Sequence, residues 1–152
     1  MFNRYIMTSS DGEAVFPALL SELHNMLDFV KETGQLNTFP KEKLLKLELA
    51  CEELLVNIIS YAYQEAPSPG KIIICCDGDK EALKVTIKDN GPSFNPLTAS
   101  IDIQDQLPLD ERKLGGLGIF LAKNSVDEFQ YERHGDSNIV HLKIHNSGTS
   151  LD

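Results

Sequence analysis

Positive charge is what this sequence is short of. Its 152 residues hold 14 lysines and arginines against 23 aspartates and glutamates, for a net charge of -9. A protein that tracks a nucleic-acid backbone favours a basic face, so nucleic acid is set aside as the direct partner. An acidic chain can still meet phosphate through backbone N–H groups and a metal ion. Long apolar runs are missing as well, so no stretch is expected to span a membrane. The opening residues MFNRYIMTSSDGE carry no signal-peptide pattern. Cysteine is sparse and odd in number, which offers no even disulfide framework; Cys75 and Cys76 fit thiols in a reducing cytoplasm. The four histidines show no metal-ligand spacing with cysteine. His141 and His145 share one face of a strand, a weak metal hint that ranks well below a plain strand surface. There are no internal repeats.

What is present suits one domain over residues 1–146 with a sizeable core, followed by a disordered tail at 147–152. Residues 2–8 fit a short edge strand. Phe16, Leu19, Leu20, Leu23, Met26, Leu27 and Val30 fall at helical spacing, predicting a helix from Glu13 to Thr33 that Gly34 stops. Pro40 fits a first helical turn, with Thr38 upstream as a cap. The stretch LLKLELACEELLVNIISYAY, Leu44 to Tyr63, reads as a long helix that ends before Ala66-Pro67-Ser68-Pro69-Gly70. Lys71–Cys76 is β-rich and Ala82–Lys88 alternates, so the two read as a hairpin around Asp77-Gly78-Asp79-Lys80, and Glu128–Arg133 with Asn138–His145 reads as a last hairpin. Residues 95–113 have no period, and a loop of that length is usually functional. The order β-α-α-β-β-loop-α-β-β predicts an α+β fold: a two-layer α/β sandwich whose mixed, mostly antiparallel sheet carries helices on one face.

Three short pieces carry the chemistry. Glu53 and Asn57 lie four apart on the long helix, hence on one face. A carboxylate that accepts a proton there stands beside an amide oxygen that binds a hard cation. They sit among Leu49, Leu54, Leu55, Val56, Ile58 and Ile59, where an unpaired polar group is costly to bury. Glu53 also fits an acidic solvated stripe with Glu48 and Glu52. Asp89-Asn90-Gly91 closes a strand; Asp89 can accept from an amino group, and Gly91 lets a planar ligand approach the backbone. The same tripeptide suits an ordinary tight turn. Gly115-Gly116-Leu117-Gly118 precedes a helix, where free N–H groups attract phosphate. No lysine and serine or threonine follow it, which excludes a P-loop, and Leu121 stands where a dinucleotide fingerprint needs a small residue.

In order and spacing the three pieces resemble the GHKL ATPase superfamily, which includes gyrase, MutL and histidine kinases. Glu53-x-x-x-Asn57 is similar to its N box, Asp89-x-Gly91 to its G1 box and Gly116-x-Gly118 to its G2 box. Within the superfamily, CEELLVNIISYAY, KDNGPSFNP and GGLGIFLAKNSVDEFQYER resemble the anti-sigma factor serine/threonine kinases, over residues 13 to 145. The resemblance implies ATP and Mg²⁺ as cofactors. Asn57 would hold the metal against the phosphates and Glu53 would be the catalytic base. Asp89 would accept from the adenine amino group beside Gly91. Gly115, Gly116, Leu117 and Gly118 would wrap the triphosphate, and residues 95–113 would form a lid. It implies a STAS-domain antagonist as substrate and a sigma factor as second partner, in the cytoplasm, with homodimerisation common in the family. Departures are Ser93 where a second glycine is frequent, Tyr61 for a histidine, and Leu117 where relatives often carry arginine, with Arg112 and Lys113 as the nearest substitutes. They motivate an alternative, a nucleotide-gated interaction module with little or no kinase activity. The absence of a phospho-accepting histidine helix argues against a complete sensor histidine kinase.

Overall fold

Alternation of buried with less buried positions builds the central strands of the sheet. The computed structural model describes residues 6–7, 12–36, 38–62, 70–95 and 122–146. Six strands are seen among them: β1 (Ile6–Met7), β2 (Glu13–Pro17), β3 (Lys71–Gly78), β4 (Ala82–Asp89), β5 (Glu128–His134) and β6 (Ser137–His145). They lie in the order β1-β2-β3-β4-β6-β5, and every pair is antiparallel. One face is apolar: Ile72, Ile74 and Cys76 of β3, Leu83, Val85 and Ile87 of β4, and Val140, Leu142 and Ile144 of β6 are all buried. Two helices, α1 (Leu23–Leu36) and α2 (Lys41–Asn57), supply the facing layer. Met26, Phe29 and Val30 of α1 and Leu47, Ala50, Cys51, Leu54 and Leu55 of α2 join the strand residues in one core. This is the expected two-layer α/β sandwich. Residues 122–125 add a helical turn, with Ala122 in the core. No described helix is long and apolar enough to cross a membrane.

The stretch expected as one helix from Glu13 to Thr33 divides in two. Its first five residues form β2, with Ala14 and Phe16 buried and Glu13 and Val15 on the other side. Pairing with β3, Val15 opposite Ile73 and Phe16 opposite Ile72, satisfies their backbone groups and overrides the apparent helical spacing. A 3-10 turn over Leu20–Glu22 then leads into α1.

Gly34 does not stop α1. It lies within the helix, where an added Cβ would come 2.0 Å from Cδ2 of the buried Leu44; the missing side chain is what lets α1 and α2 meet. The helix ends instead on Thr38, which adopts φ 55°. The Phe39 N–H donates to the Gly34 carbonyl at 3.1 Å and the Thr38 N–H to the Gln35 carbonyl at 3.1 Å. This paired pattern is a Schellman motif, with a threonine in the left-handed position that usually falls to glycine. Thr38 therefore belongs to the end of α1, and Pro40, not Thr38, occupies the cap position of α2, with no side-chain cap bond.

Leu49, expected among the apolar neighbours of the site, is 53% exposed and forms an outward ridge with Leu45. The buried stripe of α2 runs through Leu44, Leu47, Ala50, Cys51, Leu54 and Leu55 to Asn57. Immediately after Asn57 the helix widens into a π-helical turn over Ile58–Ala62, a distortion often found at functional sites.

Candidate functional site

Asn57 ends α2 on the edge of its buried stripe and is only 4% exposed. Its side-chain amide donates to the Glu53 carbonyl at 2.8 Å, one turn back. Its carboxamide oxygen is buried with no hydrogen-bond partner among the described residues. An orphaned acceptor of that kind costs about 1–3 kcal/mol. The amide's own donor group is held by the helix, so the oxygen is turned away with its lone pairs free. An oxygen so placed suits a hard cation, or a water carried with one. Glu53 is half-buried on the same face. Burial first, and the neighbouring Glu52 second, hold its carboxyl above the usual glutamate value.

The second half of the site lies where β4 ends. Inward positions alternate Leu83, Val85, Ile87 and then Asp89, so the apolar row terminates in a buried carboxylate, 2% exposed. Asp89 Oδ1 accepts from the Gly91 N–H at 2.9 Å, an Asx turn that folds the chain back over the strand end. It also accepts from the Asn138 amide at 3.0 Å. Asn138 stands directly opposite Asp89 in the β4–β6 register and is equally buried. Its amide also donates to the Pro92 carbonyl at 2.9 Å, while its oxygen accepts from the Phe94 N–H at 3.0 Å and the Tyr131 hydroxyl at 2.7 Å. Arg133 donates to the Gly91 carbonyl at 2.8 Å and to the Asn138 oxygen at 3.2 Å. Outside, the Ser137 hydroxyl donates to the Asn90 side chain at 3.0 Å.

Asp89 and Gly91 are thus brought together by the turn that closes β4, while Asn57 and Glu53 are brought together by one turn of α2. Gly115, Gly116, Leu117 and Gly118 lie outside the described residues, as do Arg112, Lys113, the tail at 147–152 and all of the expected lid except its first residue, Asn95. Asn138, Tyr131 and Arg133 were not singled out from the sequence. Their role depends on a strand register 49 residues long-range, which no local pattern encodes; an asparagine at an inward strand position was the one available signal.

The other candidates have structural partners. His141 Nε2 lies 2.8 Å from Glu132 and its Nδ1 3.3 Å from the Thr86 hydroxyl, on the open face of the sheet. Among the described residues no group of three or more His, Cys, Asp or Glu side chains is arranged to hold a metal ion. The thiols are quiet. Burial, and a hydrogen bond from Cys75 to Glu13, raise Cys75 to about 11, and burial raises Cys76 to about 12 and Cys51 well above its ordinary value.

A family model described as the histidine kinase-like ATPase domain matches residues 16–144. The chain belongs to the histidine kinase-like ATPase family. It is 26% identical over 108 residues to the serine-protein kinase RsbW of Bacillus subtilis, a match covering 69% of this chain and 67% of that protein. The protein of the same name from Staphylococcus epidermidis is 26% identical over 99 residues. That match covers 63% of this chain and 62% of the relative, so the chain spans less than two thirds of the relative's length. In solved structures, the fold is similar to the RsbU and RsbW domains of Rv1364c from Mycobacterium tuberculosis. The TM-score is 0.59 at 12% identity, covering 87% of this chain and 32% of that one.

Proposed function

We propose that this protein binds ATP with Mg²⁺ and transfers the γ-phosphoryl group to a serine or threonine hydroxyl of a protein partner. The observation that carries the reading is the buried, unpartnered oxygen of Asn57, one helical turn from a glutamate whose carboxyl is held above its usual range. Membership of the ATPase family and likeness to serine-protein kinases support it.

In this reading Asn57 holds the metal, which neutralises charge on the transferring phosphoryl group when bound. Glu53 takes the proton from the attacking hydroxyl. A base whose pKa is shifted toward working pH keeps more driving force for that transfer. Asp89 accepts from the adenine amino group, Gly91 admits the base edge to the backbone, and Gly115, Gly116, Leu117 and Gly118 wrap the triphosphate beneath a lid drawn from residues 95–113. The acceptor is a STAS-domain antagonist, and the phosphate's charge disrupts its docking and shifts the kinase toward a sigma factor. A homodimer is part of the same proposal. Leu117, at a position where relatives often carry arginine, favours a second reading in which nucleotide binding gates a protein contact and transfer is slow.

Titration calorimetry with ATP and magnesium, followed by transfer of labelled γ-phosphate to a STAS-domain antagonist, tests both readings. Asn57→Ala should weaken Mg-dependent ATP binding about tenfold or more, equivalent to about 1.4 kcal/mol. Glu53→Ala should retain binding and slow transfer by about 10²–10⁴-fold. Equal, negligible transfer by the wild type and Glu53→Ala, with ATP bound by both, would refute the kinase and leave the gated module.

A further inference from the structure

Asn138 takes no part in proton transfer or metal binding, yet it is the most densely bonded polar side chain at the site. Its oxygen gathers three donors, from Phe94, Tyr131 and Arg133, while its amide serves the Asp89 carboxylate and the Pro92 carbonyl. The Gly91 carbonyl lies farther off, at 3.5 Å. A flipped amide would set N–H groups against a guanidinium and an oxygen against a carboxylate, so only one orientation satisfies the set. That orientation pins Asp89 Oδ1 from one side while the Gly91 N–H pins it from the other. Arg133, opposite Asn138 in the β5–β6 register, holds both Asn138 and the Gly91 carbonyl and is itself fixed through Nε to the Gly135 carbonyl at 3.1 Å.

We propose that the β5–β6 hairpin, acting through Asn138 with Arg133 behind it, sets the aim of Asp89 and so determines the base selectivity of the nucleotide site. Asn138 and Arg133 are positioning residues: they touch the carboxylate and its loop. The inference rests on Asp89 reading a 6-amino purine. A carboxylate discriminates for an amino group only when its oxygen points along the N–H direction, because hydrogen bonds weaken steeply off axis. The hairpin supplies that direction.

The probes are ATP and purine riboside triphosphate, which keeps the sugar and phosphates and lacks the 6-amino group. Wild type should prefer ATP by roughly 10- to 100-fold, the worth of one hydrogen bond to a charged acceptor. Asn138→Asp preserves size and the accepting oxygen but sets a second carboxylate oxygen beside Asp89. Its preference should collapse to within about threefold of unity, while affinity for the purine analogue, which makes no use of Asp89, holds. Arg133→Gln, at an exposed position, should fall between the two; if Asn138→Asp does not fold, Arg133→Gln decides. Wild-type preference in the folded variants, with only the melting temperature lowered, would overturn the inference and leave the hairpin a structural support. Asp89→Asn separates the two levels. If it keeps the wild-type preference, or if wild type has none, the adenine reading fails and the inference with it.

Discussion

Glu53 gives up its proton less readily than an ordinary glutamate, because burial and then Glu52 disfavour its charge. The folded chain therefore binds that proton more tightly than the unfolded chain. Stability from the group is fully present below the unfolded pKa and is lost as pH rises through the folded value. Glu53→Gln, which never charges, should raise the melting temperature at pH 7.5, and the gain should vanish near pH 3.5, where wild type is protonated too; differential scanning calorimetry reads both. In the proposed kinase the same substitution should remove the acid limb of the pH–rate profile, since the proposed base that has to ionise is gone. Asn57 illustrates the opposite economy of polar groups. Among the described residues its oxygen is the one buried side-chain polar atom without a partner, as the proposed metal contact would require.

At the scale of elements, two small substitutions should act in directions that helix propensity does not foretell. Thr38→Gly relieves a β-branched residue of φ 55° and should stabilise by about 0.5 kcal/mol, after the greater freedom of glycine in the unfolded chain is subtracted. Gly34→Ala replaces a poor helix former with the best one, yet its methyl would press on Leu44, and it should cost about 1–3 kcal/mol. Urea midpoints measure both, and Leu44→Ala should cost less in the Gly34→Ala background than alone. These positions also show what the sequence could convey. The β3–β4 and β5–β6 hairpins were legible because alternation and turn residues agree locally. Glu53 with Asn57, and Asp89 with Gly91, were legible for the same reason: each pair is close in the chain. β2 was mistaken for helix because Phe16, Leu19, Leu20 and Leu23 fall at a helical period by coincidence, while the partner that makes Glu13–Pro17 a strand lies more than fifty residues away. Gly34 was read as a stop because a glycine that ends a helix and one that lets two helices touch look alike until the second helix is in place.

At the scale of the molecule, the charge of -9 opposes compaction. Screening should relieve it: raising NaCl from about 10 mM to 150 mM should lift the melting temperature by about 2 °C or more. The order of the sheet bears on assembly in another way. β4 finishes at Asp89, but its inner neighbour, β6, begins only at Ser137. A chain still leaving the ribosome can lay down α1, α2 and the β3–β4 hairpin, with Ile72 across from Asp89 on one side, while the place of Asn138 on the other is still empty. In the proposed function the base pocket would then stay unbuilt, whatever helices and first hairpin have formed, and readiness to take up nucleotide would arrive only once β6 is in place.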